Sequence, residues 1–170
     1  GGAASNYTLT GGTHNFTVNQ RPLNATLARQ YDGTTNAAGS DLSSFDALQG
    51  GETLTLSGSG TAADDNVANG ISVSSLGSLA LVNGTGLASN YSLSSAAINI
   101  TPKTVNLSGT KIYDANTTFG NSIVTVSSGL IGSETLNLTG VVNTNSANVN
   151  TYSASGGTLN GGSTSIALAD

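Results

Sequence analysis

Apolar residues in this chain recur at every second position, in short runs, and seldom at helical spacing. Leu23, Ala25 and Leu27 alternate with polar residues, as do Val105 and Leu107, while Leu54 and Leu56 are matched by Leu136 and Leu138. A period of two sends alternate side chains to opposite faces, so each run reads as a half-buried strand. The clearest are Gly50-Gly51-Glu52-Thr53-Leu54-Thr55-Leu56 and Gly132-Ser133-Glu134-Thr135-Leu136-Asn137-Leu138. Residues 1–20 hold Asn6-Tyr7-Thr8-Leu9, Gly11-Gly12 and Asn15-Phe16-Thr17-Val18, which predicts two short strands joined by a tight turn. Between Asp41 and Leu48 the apolar residues Leu42, Phe45 and Leu48 lie three apart behind a capping Asp41, which predicts one or two helical turns. Its counterpart, Ile123-Val124-Thr125-Val126-Ser127, predicts a strand, so one of the two readings must give way.

That counterpart exists because the sequence repeats. Ala28-Arg29-Gln30-Tyr31-Asp32-Gly33-Thr34-Thr35 returns 82 positions later as Thr110-Lys111-Ile112-Tyr113-Asp114-Ala115-Asn116-Thr117. Ala4-Ser5-Asn6-Tyr7-Thr8-Leu9 returns as Ala88-Ser89-Asn90-Tyr91-Ser92-Leu93, followed in both places by a short apolar run and then a proline, Pro22 or Pro102. Further on, Ile71-Ser72-Val73 and Leu79-Ala80-Leu81-Val82 correspond to Tyr152-Ser153-Ala154 and Ile166-Ala167-Leu168. A period of this length indicates two small all-β modules, Ig-like or a related β-sandwich, in an extended tandem arrangement. Two phases are open. The modules are residues 1–87 and 88–170, or residues 1–20 are the closing hairpin of a preceding module, 21–102 a complete one, and 103–170 one without its last hairpin. In the second phase the leading hairpin of one molecule could complete the open end of another.

Composition narrows the partners. Charged residues are only 8% of 170, with four Lys and Arg against nine Asp and Glu, so no basic patch can neutralise a run of phosphates and nucleic acid is not expected. Cysteine is absent, which rules out disulfides and thiolate metal sites. No apolar run approaches the roughly 20 residues of a membrane helix, so membrane insertion is not expected. The start, Gly1-Gly2, lacks the basic and apolar stretches of a signal peptide, which reads as an internal fragment of something longer. Sheets with so few charges also lack the usual lysine guard on their edges, so neighbouring modules must cover the edges or association is part of the function.

The rare charges recur in register. Arg21 with Lys103, Arg29 with Lys111, Asp32 with Asp114 and Glu52 with Glu134 are each 82 apart. This predicts an ion pair or charge-assisted hydrogen bond within each unit, from Arg29 or Lys111 to Glu52, Glu134 or the turn aspartate. The Tyr-Asp stretch reads as a strand-to-turn corner with Tyr31 or Tyr113 on the core side, and with Ala115 in place of Gly33 a left-handed backbone is not required in both copies.

Tyr-Asp-Gly-Thr-Thr after a basic residue, the Gly-Gly-Glu-Thr-Leu-Thr-Leu strand, and Ser-Asn-Tyr-Thr-Leu before a short strand and a proline together resemble the YDG-type repeats of large bacterial surface adhesins. These are filamentous-haemagglutinin-like proteins exported by two-partner secretion. The resemblance implies a secreted, outer-membrane-associated location, a tandem β module serving as a stalk or as part of the adhesive region, and no catalytic residues to transfer. Its partners would be neighbouring repeats of the same chain, host or bacterial surface glycans, or other copies of itself.

Candidate chemistry is sparse. His14 is the sole histidine, which excludes Ser-His-Asp triads and multi-histidine metal sites. Asp64, Asp65 and Asn66 are the one acidic cluster and offer oxygen ligands for calcium; an ordinary polar turn is the plainer reading, and the copy at Ser146-Ala147-Asn148 keeps neither carboxylate. No other cofactor is expected. Nine Asn-x-Ser/Thr sequons, among them those at Asn6, Asn15, Asn24, Asn83, Asn90, Asn106, Asn116 and Asn137, exceed what this composition produces by chance only by a little.

Overall fold

The computed structural model describes residues 1–161 and 164–167; Leu168, the end of the last expected strand, lies outside them. The protein is all-β, with several sheets and, among the described residues, only single-turn 3-10 helices. Two compact units are present. The first comprises Gly1–Arg29, Thr35–Asp64 and Asn69–Asn99; the second comprises Gln30–Thr34, Asp65–Ala68 and Ile100–Asp170.

The first unit is built on strands β1 (Arg21–Gln30), β2 (Asn36–Ala38), β3 (Leu42–Phe45), β4 (Leu54–Ser57), β5 (Ser59–Ala62), β6 (Ala68–Ser75), β7 (Ala80–Asn83) and β8 (Tyr91–Thr101). Six form one sheet in the order β2-β5-β6-β8-β1-β3, and β4 pairs with β7 in a second. The alternation read from the sequence is the burial pattern: Leu23, Ala25 and Leu27 of β1 and Ala96, Ile98 and Ile100 of β8 all point into the core. Leu23 and Tyr91 of the large sheet pack on Leu54 of the small one, with Leu81 and Phe45 beside them, which makes the arrangement two-layered. The chain passes from β4 to β5 through Gly58, at φ +77°, where an added Cβ would lie 2.1 Å from the Ser78 carbonyl oxygen. Only glycine fits such a corner.

Two sequence expectations are overturned here. Residues 41–48 are not helical: a 3-10 turn over Gly39–Asp41 leads into β3. Pairing of Thr26 with Ser44 but Leu27 with Leu42 skips Ser43, and this bulge lets Leu42 and Phe45, three apart, both be half-buried. The expected hairpin in residues 1–20 is also absent, with a 3-10 turn over Ala4–Asn6 and no strand after it before β1. Its repeat is a 3-10 turn over Ala88–Asn90 followed by the single strand β8. An isolated extended segment has no ladder to join, whereas β8 lies between β6 and β1.

In the second unit, β10 (Thr118–Gly120), β12 (Leu138–Thr144), β13 (Ala154–Gly161) and β14 (Thr164–Ala167) form a sheet in that order, and β9 (Asn106–Gly109) pairs with β11 (Val124–Ser128). Val124 and Val142 are buried together, with Leu107, Phe119 and Leu138 around them. The strand expected from Gly132 begins only at Leu138. Register follows the repeat. Asn36, Ala37 and Ala38 pair with Thr61, Gly60 and Ser59, and the residues 82 further on, Thr118, Phe119 and Gly120, pair with Asn143, Val142 and Val141. Leu27 with Leu42 likewise becomes Gly109 with Val124.

Candidate functional site

The residues singled out in the sequence gather at two kinds of place, a turn and a tyrosine–carboxylate contact. At the turns, Asp32 Oδ1 accepts the Thr34 backbone N–H at 3.0 Å and the Thr34 hydroxyl at 2.9 Å, while Asp114 Oδ1 accepts the Asn116 N–H at 3.0 Å. These are Asx turns, in which a short carboxylate side chain replaces a backbone carbonyl as acceptor. The residue after the aspartate is left-handed in both copies, Gly33 at φ +71° and Ala115 at φ +60°. This corrects the expectation that Ala115 leaves the second copy without a left-handed residue, since the alanine adopts the same conformation as Gly33.

Lys111 sits over the second turn. Its Nζ donates to Asp114 Oδ1 at 2.8 Å, to the Asn116 carbonyl at 2.7 Å and to the Thr118 carbonyl at 2.9 Å, and lies 4.9 Å from the centroid of the Phe119 ring. The lysine side chain is 14% exposed and the aspartate 50%. The lysine hydrogen bond, followed by that from the Asn116 N–H, holds the Asp114 carboxyl below its ordinary value. Arg29, the corresponding residue of the first copy, lies at the end of β1, ahead of Tyr31.

Glu52 and Glu134 receive hydrogen bonds from tyrosine hydroxyls, where basic partners were among those expected. Tyr91 Oη donates to Glu52 Oε2 and accepts the Gln49 N–H at 3.2 Å; Tyr31 Oη donates to Glu134 Oε1 within the second unit. Each phenol is held above its ordinary pKa, first by the hydrogen bond to its glutamate, since ionisation would place two anions side by side. Tyr91 is buried, Tyr31 is half-buried and Tyr113 is 59% exposed, so the tyrosine expected on the core side at 113 is not there. Tyr91 was missed as a partner for Glu52, although its Asn-Tyr-Ser-Leu context repeats.

A second polar pair went unnoticed in the sequence. The backbone N–H and side-chain amide of Asn24 donate to Asp46 Oδ1 and Oδ2 at 2.9 and 2.7 Å, and these bonds lower the Asp46 carboxyl below its ordinary value. The positions 82 further on hold Asn106, whose side-chain amide donates to the Ser128 hydroxyl at 2.8 Å. Asp64, Asp65 and Asn66 lie in the loop joining β5 and β6. Among the described residues no three His, Cys, Asp or Glu side chains converge as a metal site would require. His14 is exposed, its Nε2 2.8 Å from the Leu9 carbonyl oxygen.

Tyr31, Tyr91, Asp32, Asp114, Glu52, Glu134 and Lys111 thus make hydrogen bonds that tie turns and strand ends together. Residues 17–99 match the family model described as the YDG domain. No curated protein and no solved structure gives a match.

Proposed function

We propose that the chain is a non-enzymatic structural repeat, a stalk or spacer of an exported bacterial adhesin that supports cell adhesion or biofilm formation at the cell surface. The observation that carries this reading is the recurrence of the same strand pairings 82 residues apart, together with the YDG match over residues 17–99. Tandem β modules with repeated internal register extend a chain by a fixed step and need only their neighbours for stability. The low-charge surface of Ser, Thr, Asn and Gly supports an extracellular setting by analogy alone.

A second reading, direct recognition of glycans, draws on the exposed Tyr113, which lines a hollow of about 110 Å³ with Asn116 and Asn148. Aromatic and amide side chains in a shallow hollow suit sugar faces and hydroxyls. Replacing this region of the parent protein by an unrelated β-sandwich spacer of equal length separates the two. Retained adhesion, with no signal for the isolated chain on a glycan array, supports the spacer. Lost adhesion with specific array binding overturns it.

A further inference from the structure

We propose that Asn69-Gly70 is a site of spontaneous covalent modification, where Asn69 deamidates through a cyclic imide and Asn99 restrains the rate. In an Asn-Gly pair the glycine nitrogen, with no side chain beside it, reaches the asparagine side-chain carbon and closes a five-membered ring. The sequence holds three such pairs, Asn69-Gly70, Asn83-Gly84 and Asn160-Gly161. The first two lie in the first unit, in opposite surroundings.

Asn69 and Gly70 stand at the entry to β6, and both are exposed. The Asn69 side chain has no hydrogen-bond partner among the described residues, so it is free to turn. Gly70 has φ +70°, and a Cβ built on it would meet nothing within 4 Å, which leaves room for the ring. The Gly70 N–H donates to Asn99 Oδ1 at 2.8 Å, and a hydrogen-bonded N–H gives up its proton less readily. Asn99 is therefore the restraint, and one side-chain acceptor is a light one. Asn83-Gly84 is fastened more firmly. Asn83 pairs with Leu54, and its Oδ1 accepts the Ala88 N–H at 2.8 Å. A Cβ on Gly84 would lie 2.4 Å from the Thr53 carbonyl oxygen, and the next two N–H groups, of Thr85 and Gly86, also bond to Thr53. Turning the Asn83 side chain onto the Gly84 nitrogen would break one bond and displace closely packed backbone.

The reaction consumes one water and releases one ammonia. Hydroxide removes the Gly70 N–H proton, the nitrogen bonds to Asn69 Cγ, and the Cγ–Nδ2 bond breaks. Water then opens the imide. Cleavage between Cγ and the Gly70 nitrogen leaves aspartate; cleavage at the Asn69 main-chain carbonyl leaves isoaspartate, whose main chain runs through Cβ and Cγ. Either product adds a negative charge, close in sequence to Asp64 and Asp65, to a chain whose net charge is already -5. β6 pairs with β5 at Val73 and Ser75, both beyond Gly70, so the extra main-chain atom of isoaspartate falls at the strand entry and leaves that ladder in register. The folded protein thus carries a slow chemical timer. This inference does not depend on the spacer reading.

The full-length protein is incubated at mildly alkaline pH, folded and in parallel in urea, and followed by peptide-mapping mass spectrometry that separates aspartate from isoaspartate. In urea Asn69 and Asn83 should convert at similar rates. In the folded protein Asn69 should stay within about tenfold of its urea rate, the factor one hydrogen bond supports, while Asn83 falls far below its own. Asn99→Ala should speed Asn69 by up to about tenfold and leave Asn83 unchanged. Asn99→Asp, whose carboxylate still accepts the Gly70 N–H, should not speed it. The proposal is overturned if Asn69 in the folded protein converts no faster than Asn83. It is equally overturned if Asn99→Ala accelerates both asparagines alike, or if Asn99→Asp accelerates Asn69 as much as Asn99→Ala does.

Discussion

Lys111 offers the sharpest check on how the turns are held. Lys111→Met keeps the methylene stem over Phe119 and removes the ammonium. Lost with it are hydrogen bonds to the carbonyls of Asn116 and Thr118, each contributing about 0.5–1.5 kcal/mol, and a cation–π contact of about 0.5–1 kcal/mol. The ion pair to Asp114 adds little, because that carboxylate is half exposed and screened. The expected loss is about 2 kcal/mol, a fall in Tm on the order of 10 °C for a domain of this size. Asp114→Asn should lower Tm far less, because the amide oxygen can still accept from Asn116 and both lysine–carbonyl bonds remain. Thermal and urea unfolding followed by circular dichroism measure both variants. Equal losses would mean that the ion pair, rather than the carbonyl clamp, carries the contribution. An unchanged Lys111→Met would show that the clamp stabilises nothing.

Four further outcomes follow from the same geometry. Ala115→Gly should stabilise by about 0.5–1 kcal/mol, since a left-handed alanine costs about 1–2 kcal/mol and glycine returns part of that as chain entropy. Gly33→Ala should destabilise, because its Cβ would also lie 3.0 Å from Ile131 Cγ2; chemical denaturation resolves both signs. The phenol of Tyr91 is held above its ordinary pKa, so its contribution is complete below the unfolded tyrosine value and lost as pH rises through the folded one. Tyr91→Phe should therefore flatten the fall in Tm at alkaline pH. Asp46 is shifted down, so its contribution is present above the ordinary carboxylate value and lost as pH falls through the folded one. Asp46→Ser, the residue found 82 positions on, should reduce the acid sensitivity of the first unit.

Much of the sheet structure was legible because one-sided burial forces alternation. Leu23, Ala25 and Leu27, and Leu54 and Leu56, could satisfy a two-layer core only as strands, and they are buried as such. What misled was spacing broken by a bulge. Leu42, Phe45 and Leu48 match a helical step, but skipping Ser43 turns the same spacing into half-buried positions on a strand. The crossing from β4 to β5 was hidden for a related reason. A single glycine, Gly58, redirects an apparently continuous polar–apolar run from one sheet to another, and nothing in the alternation marks the corner. Residues 1–20 failed differently: their pattern states what they could pair with, while only the sheet they belong to decides whether they pair at all.

The polar fasteners were half legible, and the half that was missed is instructive. Counting the rare charges at an 82-residue offset located Glu52, Glu134, Asp114 and Lys111 but favoured cation–carboxylate pairs, because charge is what a sparse sequence makes conspicuous. Both glutamates instead accept from phenols, and the phenols come from different motifs, Tyr91 from Asn-Tyr-Ser-Leu and Tyr31 from the Tyr-Asp turn. The position of the carboxylate is therefore repeated, and a phenol from a different motif reaches each one. A period read from sequence specifies which residues are equivalent, not which copy supplies the contact. The composition of the second unit makes the same point, since Gln30–Thr34 and Asp65–Ala68 of the first copy belong to it. The boundaries of the sequence period and of the compact units therefore differ, and the period alone does not mark where a unit begins.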